Sequence, residues 1–145
     1  MVKQWMVAVV LAVSLSGCGY NTMQSQDEAA NAAWSKVLNQ YQRRAELVPT
    51  LVATVQGYAK HEKDVLTEVT EARAKVGSVQ LTSDTATNEQ QLKAYSDAQA
   101  GLTSALSKLM VVVEKYPELK ANANFLDLQK QLEGTENRIA VARSD

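Results

Sequence analysis

A heptad repeat of apolar residues is the feature that most limits what this chain can fold into. Counting in sevens from Trp34 gives Tyr41, Val48, Val55, Glu62, Val69 and Val76, interleaved with Val37, Arg44, Leu51, Tyr58, Val65 and Ala72. Only Arg44 and Glu62 among these seam positions are charged. A second row, Leu38, Ala45, Val52, Ala59 and Leu66, widens the stripe into a face able to touch two helices. The unbroken phase predicts one helix from about residue 26 to 76, stopped by Gly77. At 1.5 Å per residue such a helix is about 75 Å long. Pro49 removes the hydrogen bond to the Ala45 carbonyl, so the helix is expected to kink there without breaking.

Two shorter stripes follow. Leu92, Tyr95, Gln99, Leu102, Leu106, Leu109 and Val113 define a helix over about 88–115, which Tyr116-Pro117 ends. Thr87 and Gln90 form a candidate capping box at its start. Phe125, Leu128, Leu132, Thr135 and Ile139 define another over about 124–143, with Asn124 as its expected cap and Gly134 a weak point inside it. With no alternation of period two anywhere, the expected fold is all-α. It is an antiparallel helical bundle of one long kinked helix (about 26–76) and two shorter ones (about 88–115 and 124–143).

The N-terminus reads differently. Lys3 precedes an uncharged run, Trp5–Leu15, which fits a signal-peptide core and is shorter than the ~20 residues of a membrane span. It ends in Leu15-Ser16-Gly17-Cys18, which resembles the bacterial lipobox. A lone thiol has no disulfide partner, no neighbouring metal ligand and no nearby base, since the one histidine, His61, is far along the chain. The expected division is a lipoprotein signal peptide at 1–17, an acylated tether at 18–25 and a bundle domain at 26–145. Cys18 is the lipid-attachment residue and the membrane a partner through it. Gly19 after the cysteine favours the outer membrane in a cell that has two. The expected location is therefore the cell membrane or outer membrane, facing outside the cytoplasm.

Most other chemistry is excluded. The 15 basic and 16 acidic residues nearly cancel and form no basic stripe, so no nucleic-acid partner is expected. His61-Glu62 lacks the second histidine of a zinc helix, because position 65 is Val65. No nucleophile elbow, phosphate loop or carboxylate dyad appears. Acidic residues fall into helix pairs such as Glu71/Lys75 and Glu89/Lys93. Neither a cofactor nor an enzymatic activity is expected. The cluster of interest is Arg43, Arg44 and Pro49. Either the two guanidinium groups beside the kink clamp an anion, or Arg44 pairs with a carboxylate from another helix, Glu136 or Glu114. Glu62 and Gln99 are the other seam polars, the type that sets helix register.

The segments Tyr41–Glu62, Glu71–Val76, Leu102–Ala121 and Asn124–Arg143, with the lipobox, resemble the LemA family of bacterial envelope proteins. The shared features are the arginine pair before a mid-helix proline, the His-Glu pair, the "EKYPELKA" turn and the "ENRI" segment. The resemblance implies a membrane-anchored antiparallel bundle outside the cytoplasm with no established catalytic activity. It also implies a link to membrane proteolysis or envelope stress. Thr50 stands where the family usually has Asn, and the family continues with more helix beyond Arg143. An apolar face left uncovered there recruits a partner or another copy. Three readings follow: an interaction or scaffold module for a protein partner, a self-associating structural protein, or a sensor of a small ligand or lipid headgroup at the arginine–proline kink.

Overall fold

The computed structural model describes residues 17–79, 81 and 88–144. The leader over 1–16 and Thr87 of the expected capping box lie outside them, and of Cys18 only the backbone is described. Five helices follow in order: α1 (Gly17–Tyr58), α2 (Lys63–Ser78), α3 (Glu89–Val113), α4 (Pro117–Lys120) and α5 (Ala123–Ser144). The fold is all-α, with no strand among the described residues.

The long first helix is present, but it is not one helix to residue 76. It passes through Pro49 and ends at Tyr58, and α2 then runs back along it. The turn is short. The Glu62 amide donates to the Ala59 carbonyl at 3.2 Å, and the Leu66 amide donates to the Glu62 carbonyl at 3.2 Å. Between Val55 and Leu66 the stripe supplies only one buried residue, Ala59. A single rod leaves both halves of its stripe wet, whereas folding at the weak point buries Val48, Leu51 and Val55 in one core with Leu66, Val69 and Val76. Burial outweighs the few helical hydrogen bonds lost at the turn. The heptad phase hid the turn because every residue in it is compatible with helix.

Other boundaries move for local reasons. The helical backbone starts at Gly17, not near residue 26. Residues 22–32 are exposed and rich in Gln and Ala, so a helix nucleated in the bundle propagates outward through them. Gly77 does not stop α2: it does not have a positive φ, and the helix runs on to Ser78. Asn88 caps α3, its side chain accepting from the Gln90 and Gln91 amides at 3.0 and 3.2 Å. Asn122, rather than Asn124, caps α5 by accepting from the Phe125 amide at 3.0 Å. Lys93 pairs with Asp97 at 2.9 Å rather than with Glu89, an exposed helix pair that raises the lysine's pKa.

The helices alternate in direction. α1 packs most closely on α5, α2 on α3, and α1 on α2. The far end of the bundle is tied by side chains: Asn122 Nδ2 donates to the Tyr58 hydroxyl at 2.9 Å, the Tyr116 hydroxyl to Glu62 Oε1 at 3.1 Å, and Leu119 of α4 is fully buried. The α3/α5 seam is the loosest and opens as a groove.

Two predictions follow from the backbone. A Cβ built on Gly134 meets nothing within 4 Å, so no close approach requires glycine there. Gly134→Ala is expected to stabilise the fold by about 0.5–1 kcal/mol, read as a higher denaturation midpoint at unchanged m-value. The carbonyl that Pro49 frees is also not vacant, since Arg73 Nε of α2 donates to Ala45 O at 3.0 Å. Arg73→Ala is expected to cost about 0.5–1 kcal/mol in the native chain. It should cost close to nothing in a Pro49→Ala background, where the residue 49 amide takes that carbonyl; equal costs in the two backgrounds would show that the contact does not compensate the proline.

Candidate functional site

The polar centre of the bundle is built on Arg44. Its seam position carries the guanidinium inward, and the residue is only 1% exposed. Nη1 donates to Glu136 Oε1 of α5 and to Thr103 Oγ1 of α3, each at 2.7 Å. Nη2 donates to Gln99 Oε1 at 2.6 Å and to the Gln99 carbonyl at 3.0 Å. The Thr103 hydroxyl donates in turn to that carbonyl at 3.1 Å. One side chain thus joins three helices, and the charge-assisted bonds around it are short.

Glu136 is the acidic partner. Glu114 lies near the far end and pairs with Lys120 at 2.6 Å. Arg43, one residue from Arg44 and about 100° around the helix, is exposed, so the two guanidinium groups do not converge. Pro49 is exposed, and its freed carbonyl is occupied by Arg73. Glu62 is at the opposite end, half-buried against Tyr116. The expected polar cluster therefore separates into four places, and only Arg44 and Glu136 come together, the guanidinium buried and the carboxylate partly exposed. Thr103 was not expected there. Its spacing of four from Gln99 was the available signal, placing the two on one helix face.

This polar layer divides the core. On the far side lies the large cluster from Val48 to Leu132, and on the side of the N-terminal extension a small one of Val37, Tyr41, Tyr95 and Ile139. The Arg44 guanidinium stacks 5.2 Å from the Tyr41 ring centre, and Tyr41 meets Tyr95 edge-on at 5.8 Å and 80°. Burial raises the Tyr95 hydroxyl above the ordinary tyrosine pKa, while the Gln99 amide and Arg44 pull it down. Desolvation and the Glu62 carboxylate likewise raise Tyr116.

Concave surfaces flank the layer on both sides. The α3/α5 groove encloses about 480 Å³ and is lined by Leu106, Met110, Val113, Phe125 and Leu132, with Glu114, Lys120, Glu133 and Glu136 as its charged residues. Towards the N-terminal extension, a bowl of about 390 Å³ is lined by Trp34, Tyr41, Leu92, Tyr95 and Arg143 among others. Among the described residues no group of three His, Cys, Asp or Glu side chains is arranged to hold a metal ion. No helix among them is long and apolar enough to cross a membrane.

The two members of the ion pair should respond unequally to mutation. Removing Glu136 strands a buried guanidinium, whereas removing Arg44 leaves a carboxylate that is already 37% exposed and can hydrate. Glu136→Ala is expected to destabilise by about 2 kcal/mol, and Arg44→Met by less. In the double variant, the Glu136→Ala change should add little to Arg44→Met. Chemical denaturation of all four proteins measures this coupling.

Comparison with known proteins adds one match. None of the curated proteins matches the chain. The family model described as the LemA family matches residues 33–145, which begin where α1 enters the bundle and run through the Arg44 layer to the end of α5. With most of its length matched and its helical fold in place, the chain belongs to the LemA family.

Proposed function

We propose that this protein is a non-enzymatic binding module of the cell envelope. It is held to the membrane by an acyl group on Cys18 and offers its α3/α5 groove to an amphipathic helix of another protein. The observation that carries this reading is the groove. It follows a seam with little backbone contact and has an apolar floor. Of the three glutamates that line it, Glu114 is paired with Lys120 and Glu136 with Arg44, which leaves Glu133 as the carboxylate without a cationic partner among the described residues. Its charge favours a partner helix whose apolar face is bordered by lysine or arginine. Met110 in the floor gives it an adaptable surface.

The N-terminal part of α1 supports the anchored arrangement. Residues 22–32 are exposed on a helical arm that leads from Gly17 to the partly buried Ala33. At 1.5 Å per residue the arm spans about 20–25 Å, which would hold the bundle clear of the lipid surface beneath it. Acyl chains contribute about 0.8 kcal/mol per buried CH₂, so more than one chain on Cys18 makes a stable anchor.

Photo-crosslinking in the native cell tests the proposal, with probes at Met110 and Gln129 in the groove and at exposed Lys75 as control. The expected result is a discrete band to a foreign protein from the groove sites alone, weakened by Glu133→Lys and lost with Cys18→Ala. Self-crosslinks alone would replace this reading with a structural oligomer. A band that survives Cys18→Ala would remove the anchor from it.

A further inference from the structure

The bowl beside the N-terminal arm adjoins a smaller chamber against the Arg44 layer. Tyr41, Ser96 and Arg143 line both. The outer bowl encloses about 390 Å³, and its walls are chiefly apolar and aromatic: Trp34, Val37, Leu92, Tyr95 and Ala142. The inner chamber encloses about 130 Å³ and is polar, with Arg44, Gln99, Thr103 and Arg143 among its lining.

The charge of this chamber is positive. Its lining holds two arginines and no carboxylate. Glu136 neutralises Arg44 from the far side, at 2.7 Å. Arg143 makes no ion pair among the described residues, which leaves one unmatched positive charge at the junction of bowl and chamber. Arg44 Nε is a buried donor without a hydrogen-bond partner, an arrangement that folded proteins rarely leave unfilled. Ser96 adds a hydroxyl shared by both spaces.

We propose that this two-part cavity binds a small monocarboxylate with an apolar body. The carboxylate lies at the junction, accepting from Arg143 and Ser96, with the donors of the Arg44 layer behind it. The body, acyl or aromatic, fills the bowl against Trp34 and Tyr95. Its volume falls in the range of small-molecule sites, and a few directed polar groups in an apolar wall is their usual construction. The net charge of one selects a monoanion over a phosphate ester. The opening lies beside the arm that leads to Cys18, so a membrane-derived acyl acid and a soluble aromatic acid are the two sources to separate.

The chain has two tryptophans, Trp5 and Trp34, so a Trp5→Phe variant of the full chain reports from the bowl alone. In phosphatidylcholine vesicles, Trp34 fluorescence is titrated with octanoate, with 4-phenylbutyrate and with the neutral amide of each. The expected result is a saturable change with at least one acid, about tenfold weaker for its amide. Arg143→Gln should weaken the acid about tenfold and leave the amide unchanged. Ala33→Phe, which fills the bowl, should abolish both, with unchanged helix content by circular dichroism. The tighter of the two acids identifies the source. No saturable change with either acid at millimolar concentration would overturn the proposal, as would equal binding of acid and amide or an Arg143→Gln variant that binds like the parent.

Discussion

The arrangement of this bundle depends on how one buried guanidinium is satisfied. Arg44 enters the core from α1, and the cost of dehydrating its charge is offset only if carboxylate, amide, hydroxyl and carbonyl oxygens all meet it. Those groups come from Gln99 and Thr103 on α3 and Glu136 on α5, so α1, α3 and α5 must align in one register. A shift of either partner helix by one turn, about 5.4 Å, would strand the charge. Apolar contacts alone are far less particular, because a leucine stripe accepts several registers of nearly equal energy. The layer therefore supplies specificity more than net stability.

The same layer shapes the surface. It separates a large aliphatic cluster from a small aromatic one, and each is left with a concavity beside it. On the aliphatic side α3 and α5 stay apart, and glutamates line the gap. On the aromatic side the bowl adjoins a small polar chamber that Arg44 helps to line. The two recesses differ in sign, acidic on one side and cationic on the other, although the whole chain is close to neutral. Net charge thus says little about what such a protein attracts, and the helix faces that meet at each recess say more.

Pro49 illustrates how the tertiary fold repairs a local defect. The proline breaks one hydrogen bond of α1, and the antiparallel return of α2 brings Arg73 to the orphaned carbonyl. An exposed arginine eleven residues beyond the turn and a carbonyl fourteen before it meet only because the chain folds back at residues 59–62. Nothing in the local sequence around Ala45 identifies Arg73 as its partner. The His-Glu pair in that turn has a similar explanation: Glu62 accepts from Tyr116 and helps to hold the two ends of the hairpins together.

The sequence by itself determined the all-α class, the apolar faces of α3 and α5, and the inward direction of Arg44 and Gln99. These follow from a repeat of 3.5 to 3.6 residues, a property of neighbouring positions on one helix. It also narrowed the acidic partner of Arg44 to two candidates, Glu114 and Glu136. Only the tertiary structure decided between them, because that choice depends on which helices lie side by side. It likewise decided that the first stripe folds into a hairpin, since the heptad phase runs through Tyr58–Glu62 unbroken and the gain from folding there is burial between distant segments. The recesses were not legible either: a cavity is what remains between helices after they pack, and no single stripe records the space its neighbours leave.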